Sequence, residues 1–170
     1  MVDPLDGTKE FIKKNGEFTI NIALIEGGYP TFGIVYTPVT ETFYIGDLSE
    51  MESYKLSPDQ TKQKLRVNFK SVNRIAVRSR SHASTEEETL LNSYGVNNSI
   101  SVGSALKFCM VAEGKADIYY RHGPTMEWDT AAGQAVIEAA GGKVLTMPDR
   151  ERFFYNKAIL RNDSFLVLGF

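Results

Sequence analysis

The 170-residue sequence contains a single cysteine, Cys109, and only two histidines. One cysteine cannot form an internal disulfide bond, so a disulfide-stapled scaffold is excluded and a reducing compartment is indicated. The sequence also lacks an excess of positive charge, since 19 lysine and arginine residues stand against 21 aspartate and glutamate residues. A protein that binds duplex nucleic acid needs a strong basic excess. We therefore expect no nucleic-acid partner.

Long hydrophobic runs are absent as well, and none approaches the roughly 20 residues that a membrane-spanning helix needs. A chain of 170 residues lies within the usual range of about 100–200 residues for one domain and can bury a core without disulfide bonds. We therefore expect a globular protein without a transmembrane segment. The expected location is the cytoplasm, with peripheral association at the inner membrane as the alternative.

The residue pattern changes near residue 70. Between residues 17 and 48, apolar residues alternate with polar or small ones, and turn signals follow at short intervals. This pattern predicts an antiparallel meander with one buried face. From Arg74 onwards, short strands alternate with helices, which predicts an α/β layer. We therefore predict two subdomains, 1–71 and 72–170, with helices at 85–94, 105–113 and 129–140.

The first candidate site is the run Asp3-Pro4-Leu5-Asp6-Gly7-Thr8. Two carboxylates three positions apart, with a proline between them and a glycine behind them, can point at one place. Mg²⁺ prefers such oxygen ligands, including a backbone carbonyl, and the threonine hydroxyl could hold a nearby water. The alternative is an ordinary turn, because aspartate, proline and glycine are common turn residues.

The second candidate site is the run Trp128-Asp129-Thr130-Ala131-Ala132-Gly133. Asp129 is predicted at the N-cap of a helix, where a carboxylate is favoured for purely structural reasons. Capping alone therefore explains this aspartate as well as a functional role does. The small residues after it would allow another part of the backbone to approach closely.

Taken together, the two hexapeptides resemble the signatures of the inositol monophosphatase family, and the resemblance extends from residue 2 to the C-terminus. The family consists of Mg²⁺-dependent, lithium-sensitive phosphomonoesterases with a layered αβαβα sandwich of the α+β or α/β class, which is the fold implied here. The branch of 3'(2'),5'-bisphosphate nucleotidases is indicated by further similar segments: residues 9–12, 15–18, 79–82, 103–108 and 121–125.

The resemblance also implies roles for individual residues. Asp3, Leu5 (through its carbonyl), Asp6 and Asp129 match metal ligands for two or three Mg²⁺ ions, and Asp3 and Thr8 match catalytic positions. The positions that match substrate contacts are Asp6, Gly7, Thr8, His82, Ser104, Lys107, Arg121 and Asp129. For His82, Ser104, Lys107 and Arg121, which match the base and 5'-phosphate side, the alternative is a loop cap or a solvated helix residue.

The implied reaction is hydrolysis of 3'-phosphoadenosine 5'-phosphate to AMP and phosphate, in sulfate assimilation and nucleotide recycling. The implied partner is therefore a small bisphosphorylated nucleotide, and a homodimer is a further expectation. The alternatives are an inositol phosphate phosphatase and, from another class, a non-catalytic fragment that binds metal or nucleotide. The last arises because family members have about eighty residues before the first motif, including a glutamate ligand, so an N-terminal truncation is expected.

Overall fold

The computed structural model describes residues 1–69, 72–79 and 84–170, which form two large β-sheets, a further two-stranded sheet and four helices. The helices are α1 (Thr8–Lys13), α2 (Thr85–Ser93), α3 (Leu106–Ala112) and α4 (Glu127–Ala139). The strands of the first part of the chain are β1 (Val2–Asp6), β2 (Thr19–Glu26), β3 (Tyr29–Thr37), β4 (Thr42–Asp47), β5 (Glu52–Leu56) and β6 (Lys62–Lys64). The later strands are β7 (Arg74–Arg78), β8 (Val96–Ser101), β9 (Ile118–Arg121), β10 (Thr125–Met126), β11 (Lys143–Thr146), β12 (Arg161–Asn162) and β13 (Phe165–Leu168).

Strands β1 to β6 form one antiparallel sheet in sequence order, as the alternation predicted. Helix α4 packs on one face of this sheet. The buried face carries small and polar residues such as Asn21 and Ala23, whereas Ile22 and Leu24 on the other face are exposed. The close packing of α4 falls on this face, where larger side chains such as Val35 and Tyr44 are also buried.

Glycine at two positions of the sheet permits this close packing. A Cβ atom added at Gly33 would lie 2.6 Å from the carbonyl oxygen of Ala132, and one added at Gly46 would lie 2.4 Å from that of Ala135. Both distances are shorter than any van der Waals contact. The backbone of α4 therefore lies directly on the sheet, and its N-terminal turn is held beside β1 and β2.

Replacing Gly46 by alanine should lower the free energy of unfolding by about 3 kcal/mol, because the added methyl group meets backbone that can move only with the whole helix. Chemical denaturation measures this. A matched control is Gly27→Ala, where a Cβ meets no atom within 4 Å but the φ angle is +59°, so only the conformational cost of about 1 kcal/mol is expected. Equal losses in the two variants would contradict this account of the packing.

The second sheet is mixed, in the order β11-β13-β9-β7-β8. Its two faces are both covered, since Phe165 and Val167 pack with α3 and α4 while Leu166 and Leu168 pack with α2. The order of layers is therefore first sheet, α3 with α4, second sheet, and α2. This is an α+β arrangement, as predicted.

The element boundaries differ from the predicted ones in ways that have local causes. Helix α2 begins at Thr85 as predicted, and its N-cap is Ser84, whose side chain accepts a hydrogen bond from the N–H of Glu87. Helix α4 begins at Glu127, two residues before the predicted start. Helix α1 was not predicted, because its six residues are too few to show a helical period.

Within the described ranges, no helix has the length and apolar character that crossing a membrane requires. The division into two subdomains stays a prediction. The strands before residue 65 and those after residue 73 do form separate sheets, but α4 packs against both.

Candidate active site

A β-bulge in β1 places the two aspartates of the first motif on one face of the sheet. Asp3 pairs with Asn21 and Asp6 pairs with Thr19, so two residues of β1 lie opposite one residue of β2. Side chains three positions apart in a regular strand point to opposite faces, and one extra residue cancels this alternation. Pro4 has no N–H to lose from the ladder, and the N–H of Leu5, next to it in the bulge, donates to Oδ1 of Asp3 at 3.0 Å.

The Asp6 carboxylate is fixed by three hydrogen bonds that all end on its Oδ2 atom. Thr19 and Asn21 of β2 donate through their side chains at 3.2 Å each, and the backbone N–H of Ala105 donates at 2.7 Å. Thr19 and Asn21 are fully buried beside it. Asp6 therefore connects the first sheet to the start of α3 and has little freedom to turn.

Asp129 lies in the first turn of α4, where its Oδ2 atom accepts a hydrogen bond from the N–H of Met126 at 2.8 Å. The predicted capping role is thus real, although Asp129 occupies the third helical position and Met126 is the N-cap. The bond involves one carboxylate oxygen. Capping and a role in the site are therefore compatible, and the sequence had presented them as alternatives.

The two motifs meet in one acidic cluster, in which ligand atoms of Asp3, Asp6 and Asp129 all lie within 4.8 Å of one another. The pKa of the Asp129 carboxyl is raised to about 6, mainly by burial and in addition by the negative charges of Asp6 and Asp3. Burial also raises the pKa of Asp6, although the Lys107 ammonium opposes this. Keeping these neighbouring carboxylates ionised therefore costs free energy, and a bound cation would remove this cost.

These residues fit a hard divalent cation. Mg²⁺ binds carboxylate oxygens through one or two protein groups and retains several waters. The cluster offers carboxylates from two separate elements, β1 and α4, that are already held in place by hydrogen bonds. Burial and the neighbouring Asp6 and Asp3 carboxylates both raise the pKa of Asp129, and a bound cation would favour its ionised form.

A cavity of about 190 Å³ opens beside the cluster. Asp6 and Asp129 line it together with two cations, Lys107 and Arg121, and with Ser104. The pKa of Lys107 is lowered to about 8, mainly by burial; the negative charge of Asp6 opposes this shift and the positive charge of Arg121 adds to it. The cavity thus joins an acidic cluster to a pair of cations.

Two polar atoms of this cavity are buried without a hydrogen-bond partner among the described residues: Oγ of Ser104 and Nε of Arg121. Buried polar atoms are nearly always paired, so such exceptions indicate a place for a bound group. The Lys107 ammonium, in contrast, donates to the carbonyl of Ser104 at 2.6 Å and lies 5.4 Å from the centre of the Tyr119 ring. Lys107 is only 7% exposed.

The remaining predicted residues have different surroundings. Gly7 lines the cavity, and Thr8 is exposed at the start of α1, next to Gly7. Leu5 lies in the bulge between the two aspartates. His82 falls outside the described residues. The catalytic, metal-binding and substrate-binding roles of all these residues stay predictions.

Sequence reasoning missed the residues that support the cluster. Thr19 and Asn21 were seen only as the polar half of an alternating strand, although two buried polar side chains on the core face of β2 are a usable signal once that face is known. Two lining residues, Tyr119 and Phe165, lie outside every run that the sequence singled out, and five others lie inside such runs but were given no role: Lys9, Glu10, Ser79, Thr125 and Thr130.

The fold and the cluster define a layered α+β protein with a candidate divalent-cation site. Residues 1–164 match the sequence profile of the inositol monophosphatase family, and the chain belongs to this family. The predicted family and fold are thereby confirmed.

Individual relatives are nucleotidases of the predicted branch. The chain is 48% identical over 161 residues to the 3'(2'),5'-bisphosphate nucleotidase CysQ of Escherichia coli K12. This match covers 90% of the chain and 63% of the relative. The chain is 46% identical over 170 residues to CysQ of Buchnera aphidicola, which covers the whole chain and 62% of the relative. The chain therefore spans somewhat less than two thirds of the length of these curated relatives.

A solved structure agrees with this relationship. The crystal structure of CysQ from Bacteroides thetaiotaomicron, described as a bacterial member of the inositol monophosphatase family, superposes with a TM-score of 0.88 at 42% identity. The match covers 98% of this chain and 68% of that structure. Inositol monophosphatase from Anabaena, at 24% identity and a TM-score of 0.78, shares the fold.

Proposed function

We propose that this protein is a Mg²⁺-dependent 3'(2'),5'-bisphosphate nucleotidase that hydrolyses 3'-phosphoadenosine 5'-phosphate to AMP and phosphate. The observation that carries the proposal is the cavity in which Asp6 and Asp129 are joined to Lys107 and Arg121. A substrate with two phosphates needs two separate sites for negative charge. The relatives named above are 3'(2'),5'-bisphosphate nucleotidases, which supports the same substrate class.

Asp3, Asp6 and Asp129 would hold the metal, with the carbonyl of Leu5 as a further ligand and with two or three ions in all. When bound, Mg²⁺ would supply Lewis-acid stabilisation of the charge that builds up on the phosphoryl oxygens. The protein contributes fixed ligands, because Asp6 is held by β2 and by Ala105 while Asp129 is held by its own helix.

The reaction is an in-line displacement at the 3'-phosphorus. A water oxygen forms the new bond to phosphorus, the bond from phosphorus to the 3'-oxygen breaks, and the 3'-oxygen takes up a proton to give the ribose hydroxyl. Thr8, exposed beside Gly7, is proposed to orient the attacking water, and the amides of Gly7 and Thr8 to contact the phosphate. Ser104, Lys107, Arg121 and His82 are proposed to hold the 5'-phosphate and the base.

The test is phosphate release by the full-length gene product. With Mg²⁺ present, 3'-phosphoadenosine 5'-phosphate should be the best substrate by kcat/KM, and Li⁺ or a chelator should abolish turnover. Inositol 1-phosphate is the matched comparison for the phosphatase alternative. Higher kcat/KM for inositol 1-phosphate would overturn the proposed substrate, and binding of nucleotide without any turnover would favour the non-catalytic alternative.

A cytoplasmic location, a role in sulfate assimilation and a homodimeric state belong to the same proposal. The single free cysteine supports a reducing compartment, and the other two points follow from the resemblance to the nucleotidase branch. Gel filtration of the full-length product, together with fractionation of the source cells, tests the state of assembly and the location.

A further inference from the structure

The turn of residues 103–105 forms one wall of the cavity, and a different side chain holds each of its three residues. Oε2 of Glu17 accepts a hydrogen bond from the N–H of Gly103 at 2.9 Å. Oδ2 of Asp6 accepts one from the N–H of Ala105 at 2.7 Å, and the ammonium of Lys107 donates to the carbonyl of Ser104 at 2.6 Å. The conformation of the turn is therefore fixed from outside.

This turn needs such support because Ser104 has a φ angle of +47°. A residue with a side chain is disfavoured in this left-handed region, and the surrounding structure must hold it there. The left-handed conformation matters for the cavity because it sets the position of the Ser104 hydroxyl. This hydroxyl is buried at the cavity without a hydrogen-bond partner among the described residues. A change in the turn would move this hydroxyl.

Glu17 holds the turn without being among the residues that line the cavity. Its own backbone is fixed, with the N–H donating to Oδ1 of Asn15 at 3.0 Å. Gly103 fits closely against the same segment, and a Cβ added there would lie 3.0 Å from the carbonyl oxygen of Glu17. Glu17 thus connects the segment after α1 to a turn 86 residues later.

We propose that Glu17 is a positioning residue, which holds the Gly103–Ala105 turn so that the Ser104 hydroxyl faces the distal phosphate of the substrate. This inference rests on the proposed function, in which Ser104 contacts that side of the nucleotide. Glu17 acts through hydrogen bonding to a backbone N–H, so a neutral acceptor of the same length should replace most of its effect.

The test compares Glu17→Ala with Glu17→Gln in the full-length protein. Glu17→Ala should raise KM for 3'-phosphoadenosine 5'-phosphate about tenfold or more, the size of one charge-assisted hydrogen bond, with kcat changed less than about threefold. KM for adenosine 3'-phosphate, which lacks the distal phosphate, should change much less. Glu17→Gln should restore KM to within a few-fold of the wild type, and the exposed Glu26→Ala is the matched control.

Amide hydrogen exchange of Gly103 gives a readout that needs no substrate. Exchange should become about tenfold faster in Glu17→Ala and should stay slow in Glu17→Gln. If Glu17→Ala keeps a wild-type KM, or if Gly103 exchanges at the wild-type rate, the inference is overturned. If the wild type releases no phosphate from the bisphosphorylated nucleotide, the proposed function fails instead, and the exchange rates still decide whether Glu17 holds the turn.

Discussion

Replacing Asp129 by asparagine should reduce phosphate release more than about 100-fold and, at the same time, stabilise the metal-free protein at pH 7.5. The loss of activity follows because one carboxylate of the proposed metal site becomes neutral, and metal-ion catalysis contributes several kcal/mol. The helix is preserved, since the amide oxygen of asparagine can still accept the hydrogen bond from Met126.

The gain in stability follows from the pKa of Asp129. Burial raises this pKa in the folded protein to about 6 from an ordinary value of 3.8. A carboxyl whose pKa is raised in the folded protein contributes stability at pH values below its ordinary pKa of 3.8. This contribution is lost as the pH rises through the folded-state pKa of about 6. At pH 7.5 the ionised group therefore costs stability, about 1–2 kcal/mol after allowance for solvent screening.

Denaturation in the presence of a chelator, at pH 7.5 and at pH 5, measures this effect. The free energy of unfolding of the Asp129→Asn variant should exceed that of the wild type at pH 7.5. The difference should shrink at pH 5, where Asp129 of the wild type is mostly protonated. Asp149→Asn, in an exposed turn, is the control and should change neither stability nor activity. A variant that keeps full Mg²⁺-dependent turnover would exclude Asp129 from the metal site.

The second large effect is expected at Arg121, which ends β9 and lines the cavity with its Nε atom buried and unpaired among the described residues. Arg121→Ala should raise KM for 3'-phosphoadenosine 5'-phosphate by about 10- to 100-fold. The reason is that a charge-assisted contact is worth roughly 1.5–3 kcal/mol and exists only when the phosphate is present. Adenosine 3'-phosphate should therefore be affected far less.

Steady-state kinetics with the two nucleotides measures this split. The exposed Arg161→Ala serves as the control for loss of one positive charge. Equal losses on both nucleotides would make Arg121 a structural residue and remove it from the 5'-phosphate side of the site.

The site could be located from the sequence because its chemistry is concentrated in two short runs. Asp3 and Asp6 lie within four residues of each other, and Asp129 lies beside a helix start that small residues mark. What the spacing could not give was the direction of the side chains. A regular strand would place Asp3 and Asp6 on opposite faces, and only pairing with β2 creates the bulge that unites them.

The supporting residues depend on contacts between distant parts of the chain. Glu17 and Gly103 are 86 residues apart, and Asp6 and Ala105 are 99 apart. Local patterns contain no information about such pairs. The left-handed conformation of Ser104 is likewise set by these contacts, since serine has no intrinsic preference for it.

The sequence alone determined the family, the α+β class, the three strands of the first sheet between residues 17 and 48, and the two motifs of the acidic cluster. These features depend on local periodicity and on short motifs, which are read along the chain. Only the tertiary structure decided which face of the first sheet is buried. The apolar Ile22 and Leu24 are exposed, whereas Asn21 and Ala23 face the core, because the backbone of α4 lies on this face at Gly33 and Gly46 and because the Asp6 carboxylate needs buried donors.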